Sequence, residues 1–157
     1  MSLFKAVIFD LDGTLVDSLA DLADSVNEML ARHGYPLHSL EQYRYFVGNG
    51  SQKLVERALP PKQGAAAIEA ALSEYKEIYS THYLQKTQPY AGIKALLEKL
   101  HSIGVPLAVC TNKHQEAAHN IVEALFGSNI FRYVSGDRPG CKRKPDSTEV
   151  LRLAALL

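Results

Sequence analysis

The stretch Lys5-Ala6-Val7-Ile8-Phe9-Asp10-Leu11-Asp12-Gly13-Thr14-Leu15-Val16-Asp17 constrains the fold more than any other. It opens with a short apolar run, Ala6 to Phe9, rich in β-branched residues, which predicts a buried strand. Asp10 and Asp12 follow at once, then Gly13-Thr14. A buried strand ending in two carboxylates and a glycine sets those carboxylates at the carboxyl edge of a parallel sheet. Open α/β sheets bind their ligands at that edge.

Side chains alternate along extended backbone, so Asp10 and Asp12 are expected to share a face, with Leu11 pointing away. Two carboxylates so close repel one another unless a cation intervenes. The pair therefore has two uses, which can coexist. It can ligate a hard cation such as Mg²⁺, or supply a nucleophile and a general acid/base. The bland alternative is an Asx-turn that merely ends a strand. Against it, Asp-x-Asp-Gly-Thr arises by chance in a chain of this size with probability on the order of 10⁻³.

The 157 residues suffice for one domain, or a compact core with a smaller insert. Seventeen basic residues balance seventeen acidic ones, so no overall field favours nucleic acid or an anionic membrane. The apolar runs are too short to span a bilayer, and the N-terminus lacks the pattern of a signal peptide. The two cysteines, Cys110 and Cys141, form neither a disulfide framework nor a metal spacing. A cytoplasmic setting is expected, with both as plain thiols.

After Val16 the periodicity becomes helical. Leu19, Leu22, Ala23, Val26, Met29 and Leu30 predict a helix from Ser18 to His33, stopped by Gly34 and Pro36. Ser39-Leu40-Glu41-Gln42 fits a capping box. Ser51 is expected to cap a third helix, and Pro60-Pro61 breaks the chain. A long helix is predicted from Lys62 to about Lys86. Residues 17–86 thus read as a helical insert, a cap that can exclude water from an electrostatic site. Its two hinges fall near 15–18 and 85–89. From Pro89 onward strands and helices alternate. A helix over Ile93 to Ser102 precedes a strand over Val105 to Cys110. A helix from Lys113 to Phe126 precedes a strand over Ile130 to Val134. A loop over Ser135 to Gly140 follows, and Ser147 opens a last helix. That order means right-handed crossovers and a parallel sheet built from residues 1–16 and 87–157.

Three places then meet at one sheet edge: Asp10 with Asp12, Thr111 with Asn112, and Lys144. Thr111 offers a hydroxyl and an N–H at a strand-to-helix junction, suited to an anion. Pro145 disfavours helical backbone at Lys144, which suggests an aimed side chain. A carboxylate attacking a phosphate dianion at ~3 Å and an effective dielectric of ~20 meets roughly 11 kcal/mol of repulsion. Left uncompensated, this would slow the step by about eight powers of ten. A lysine ammonium and a divalent cation at the same edge are the chemical remedy.

These residues resemble the haloacid dehalogenase superfamily, and within it the phosphoglycolate phosphatase-like members. Phe9-Asp10-Leu11-Asp12-Gly13-Thr14-Leu15 is similar to the first motif, Cys110-Thr111-Asn112-Lys113 to the second, and Lys144-Pro145-Asp146 to the third. Gly48-Asn49-Gly50-Ser51 and the residues through Leu59 resemble a cap segment of the phosphoglycolate phosphatases. The resemblance implies an α/β, Rossmann-like parallel-sheet core with an inserted α-helical cap. It implies that Asp10 is the nucleophile, forms an aspartyl-phosphate and binds Mg²⁺. Asp12 is then the general acid/base and gives Mg²⁺ a second ligand, its backbone carbonyl. Thr111 and Asn112 would hold the phosphoryl oxygens, and Lys144 would neutralise charge. Gly48 to Gly50 would lie near the substrate's carboxylate, or simply form a helix-breaking turn. An acid two residues after the nucleophile favours phosphoester hydrolysis or mutase chemistry over dehalogenation.

The family's fourth motif, an acidic pair completing the Mg²⁺ site, is not found after Lys144. Ser135-Gly136-Asp137 lies before Lys144, where the family has a loop. The expectation is a chain truncated before that motif, with the Asp10 strand left as an apolar edge open to self-association. Its expected substrate is a small phosphorylated acid, with 2-phosphoglycolate in first place. A phosphosugar mutase and a non-catalytic phosphate- or partner-binding module are the alternatives. The 157 residues by themselves should show weak or no Mg²⁺-dependent turnover, and robust phosphate release by a mass-verified preparation would contradict this.

Overall fold

The computed structural model describes residues 4–157. In chain order the described elements are β1 (Val7–Phe9), β2 (Val16–Asp17), α1 (Leu19–Arg32), α2 (Leu40–Phe46), α3 (Ser51–Ala58), α4 (Ala65–His82), β3 (Gln88–Pro89), α5 (Ile93–Ser102), β4 (Leu107–His114), α6 (Gln115–Phe126), β5 (Tyr133–Asp137) and α7 (Thr148–Leu156). They divide into two compact units. One joins the described residues up to Asp17 to Gln88–Leu157, and the other is Ser18–Thr87.

The first unit is α/β. Its sheet is parallel, in the order β1-β4-β5, with Val7 beside Leu107, Phe9 beside Val109 and Cys110 beside Ser135. Strand β4 is central and its first half is buried, as its apolar run requires. Strand β1 stands at an edge among the described residues. Its side chains are only half-buried, where the sequence had suggested full burial. Helix α7 packs on the sheet through Leu153, which is buried with Ala108 and Cys110 against Ile8, Val150 and Leu157. A short antiparallel pair, β2 with β3, joins Val16 to Pro89 and Asp17 to Gln88. This pair lies where the sequence placed its hinges and was not foreseen.

Two strand assignments shift. Strand β4 continues through Thr111, Asn112 and Lys113 to His114, so Thr111 lies within a strand and His114 stands at the N-cap of α6. Strand β5 takes in Ser135, Gly136 and Asp137, which the sequence suggested were loop. The reason is close approach. A Cβ on Gly136 would lie 2.7 Å from the Lys113 carbonyl oxygen and 2.8 Å from Gln115 Cα. Only a glycine lets the two backbones pair that far.

The second unit is helical. Leu22, Ala23, Val26, Met29 and Leu30 of α1 are buried, as are Tyr75, Ile78 and Tyr79 of α4, following the 3.6-residue pattern. Helix α2 carries the capping box expected from Ser39 and Gln42. Gly50 rather than Ser51 occupies the N-cap of α3. Helix α4 is shorter than the pattern suggested, starting after Gly64 at its N-cap and ending at His82. Among the described residues no helix is long and apolar enough to cross a membrane.

Asp21 closes this unit. Its carboxylate is buried and accepts from the Lys86 N–H at 2.9 Å, the Thr87 N–H at 2.8 Å and the Thr87 hydroxyl at 2.7 Å. The first turn of α1 is thereby tied to the last residues of the unit. In Asp21→Asn an amide NH₂ replaces one acceptor and faces buried donors. We predict a loss of about 1–3 kcal/mol, read from the urea midpoint of unfolding.

Candidate active site

The site is built in the α/β unit, where β1 and β4 end. Beyond β1 the chain turns tightly. The Leu11 carbonyl accepts N–H bonds from Thr14, Leu15 and Val16 at 3.2, 3.0 and 3.1 Å, and the Gly13 N–H donates to Val16 at 2.9 Å. Gly13 takes φ +77°, in the left-handed region that glycine favours. Leu11 is buried beneath the turn.

Each aspartate carries its own ammonium. Lys144 Nζ lies 2.9 Å from Asp10 Oδ1 and donates to the Cys110 carbonyl, also at 2.9 Å. The Leu11 N–H donates to the same Oδ1 at 2.7 Å. Lys113 Nζ meets both oxygens of Asp12, at 3.0 and 3.2 Å. The Lys113 side chain is 5% exposed and that of Asp12 18%. Lys113 falls inside the second-motif stretch but received no role from the sequence. Nothing in its local pattern separates an exposed lysine from one turned inward on a strand.

Thr111 is buried, and its hydroxyl accepts from the Lys113 N–H at 3.2 Å. The Asn112 side chain bonds the Lys144 peptide twice. Nδ2 donates to the Lys144 carbonyl at 3.1 Å, and the Lys144 N–H donates to Oδ1 at 2.8 Å. Asp10, Asp12, Asn112 and Lys144 are therefore linked directly or through one residue, and Thr111 stands on the same strand. The pairing of β4 with β5 slips between Cys110 and His114, so three residues of β4 oppose Gly136 alone. Such a bulge re-aims side chains, and here it carries Thr111, Asn112 and Lys113. Beside it lies a small cleft lined in part by Thr111, Asn112, Asp137, Arg143 and Lys144.

A second cluster supports the loop that brings Lys144 in, and it too was missed from sequence. Glu149, buried at the start of α7, accepts from the Ser135 hydroxyl, from Arg152 at 2.6 Å and from Arg138 at 3.1 Å. Arg138 also donates to Ser135 Oγ at 2.8 Å and to the Gly136 carbonyl at 3.1 Å. The Arg152 guanidinium first, then Ser135 and Arg138, hold the Glu149 carboxyl far below the usual range. Arg143 binds Asp137 at 2.7 Å. Burial pushes the Cys110 thiol up, as suits a packing residue.

The donor set fits Mg²⁺ in kind, since carboxylate and peptide oxygens are the hard ligands this ion takes. It supplies part of a coordination shell. Among the described residues no group of three or more His, Cys, Asp or Glu could hold a metal ion. The Asp12 carboxylate already engages Lys113, so the groups that would hold the ion are the Asp10 carboxylate and the Asp12 main-chain oxygen.

This architecture has known relatives. Residues 7–156 match the haloacid dehalogenase-like hydrolase family, and the chain belongs to it. It is 39% identical over 146 residues to a phosphoglycolate phosphatase of Pseudomonas syringae pv. syringae, an alignment covering 90% of this chain and 54% of that protein. It is 37% identical to a phosphoglycolate phosphatase of Psychrobacter arcticus, covering 98% of this chain and 70% of that protein. The solved structure of a predicted phosphoglycolate phosphatase from Haemophilus somnus matches with a TM-score of 0.89 at 29% identity, over 99% of this chain and 72% of that one. The chain spans about half the length of several curated relatives it matches.

Glu149 sets an acid limit on this site. Its folded carboxyl titrates lower than the unfolded one, so its stabilisation is full above the ordinary value of 4.5 and is lost as pH falls below it. Urea midpoints at pH 7 and pH 3 should therefore differ more for the wild type than for Glu149→Gln.

Proposed function

We propose that the protein is a Mg²⁺-dependent phosphatase acting on a small phosphate monoester of an acid, with 2-phosphoglycolate as its substrate. The observation that carries this is the Asp10–Lys144 pair at 2.9 Å, beside a second aspartate with its own lysine. The family membership and the names of the relatives support the substrate class.

Among the described residues, both polar partners of the Asp10 carboxylate, the Leu11 N–H and the Lys144 ammonium, fall on Oδ1. Oδ2 is then the oxygen that attacks phosphorus, and the ester P–O bond breaks. Asp12 gives a proton to the departing alkoxide. In the second half it takes a proton from water as water attacks the aspartyl-phosphate, releasing phosphate and restoring Asp10. Thr111 and the Asn112 backbone hold the phosphoryl oxygens, and Lys144 offsets the negative charge gathered on Asp10 and the phosphate. Mg²⁺, held by Asp10 and Asp12, would supply further positive charge on those oxygens. Within the helical unit, Arg57 fixes the turn at Gly48 to Gly50 by donating to the Phe46 carbonyl and to Asn49 Oδ1, both at 2.9 Å.

The test is phosphate release from 2-phosphoglycolate and a panel of sugar phosphates, with and without Mg²⁺. Against measurable wild-type turnover, Asp10→Asn should lower kcat by at least ~10³-fold, since it removes the nucleophile. An Asp10→Asn rate equal to that measured turnover would sink the mechanism. A preference for a sugar phosphate would remove the substrate assignment, and recovery of an isomerised product would point to a mutase.

A further inference from the structure

The Lys144 peptide is held at both its N–H and its C=O by one side chain, that of Asn112. The amide meets the main chain as one strand meets its neighbour, with a donor and an acceptor side by side. Lys144 sits in a loop whose other cations face elsewhere. Lys142 is 69% exposed on Asp146, and Arg143 is drawn to Asp137. A lysine side chain has four rotatable bonds and a compact charge, so its ammonium is placed no better than its backbone. Here the main chain has two anchors on Asn112, and Nζ then reaches the Cys110 carbonyl and Asp10 Oδ1.

We propose that Asn112 is a positioning residue that acts through Lys144, its side-chain amide docking the Lys144 peptide on β4 so that the ammonium reaches Asp10. The inference deepens the proposed function and rests on the role given there to Lys144. It changes the part expected of Asn112, whose side chain serves the lysine rather than the phosphoryl group. The chemistry accounts for the residue type. Docking needs a donor for the carbonyl and an acceptor for the N–H on one short arm, and asparagine has both. An ionised aspartate has acceptors alone and would repel the Lys144 carbonyl.

The test uses the 157-residue protein with Asn112→Ala, Lys144→Ala and the double variant. Amide hydrogen exchange at Lys144 is read by NMR, and affinity for inorganic phosphate in Mg²⁺ buffer by calorimetry. In Asn112→Ala the Lys144 amide should exchange about tenfold faster or more, while the amides of β4 up to Cys110 and of α7 keep their protection. Phosphate should bind the double variant about as well as Lys144→Ala, because a residue acting through a lysine has nothing left to do once the lysine is gone. Unchanged exchange at Lys144, or single effects that multiply in the double variant, would overturn the proposal. If Lys144→Ala leaves phosphate affinity intact, the role of Lys144 in the proposed function fails. The exchange result then still decides whether Asn112 docks that peptide.

Discussion

Two carboxylates end one short strand, and the cost of holding them together governs the architecture around them. Like charges at this spacing destabilise a fold unless positive charge is brought to each. Lys113 comes to Asp12 from β4, and Lys144 comes to Asp10 from the loop after β5. Neither lysine is near its own aspartate in sequence, so the compensation exists only once β4 has paired with β1. The pairing is therefore a condition of the site. It also orients the aspartates, because Lys113 grips both oxygens of Asp12 while Lys144 meets Asp10 on Oδ1 alone.

Bringing both lysines in takes a strand that is not regular. Between Cys110 and His114 three residues of β4 oppose Gly136. This extra length points Lys113 inward to Asp12 and lets Asn112 meet the Lys144 peptide. Gly136 accepts the crowding because it has no side chain to clash with the Lys113 carbonyl. Behind it, Ser135, Arg138, Glu149 and Arg152 tie the end of β5 to the first turns of α7. The loop between them, with Lys144 in it, is thus held at both ends. Buried charge of this kind is tolerable because each member of the cluster is bonded.

The helical unit follows the same economy of polar groups. Asp21 is buried, yet its oxygens accept from two N–H groups and a hydroxyl of Lys86 and Thr87. Asn27 receives the Tyr43 hydroxyl and pairs with the His38 main chain. Burial pushes the Tyr43 phenol above its ordinary range, so it stays a neutral donor there. Apolar stripes hold the helices together, and these few bonds decide where the chain enters and leaves each one.

The alternation of apolar runs along the sequence was enough for the order of the helices and of β1, β4 and β5, the parallel sheet, the Ser39 capping box and the apolar stripes of α1 and α4. Those features depend on local periodicity and on which backbone groups a nearby side chain can satisfy. The aspartates, Thr111, Asn112 and Lys144 were legible as residues because their types and spacing are chemically unusual. Their partners were not. That Lys113 turns inward to Asp12, that Asn112 grips the Lys144 backbone, that Glu149 gathers two arginines and Ser135, and that Asp21 receives Thr87 all follow from contacts between distant segments. The same holds for β5 beginning later and β4 running on, since a strand's limits are set by the neighbour that completes its hydrogen bonds. Periodicity is a property of one segment. Ion pairs and ladder ends belong to two, and only tertiary structure brings the second one into place.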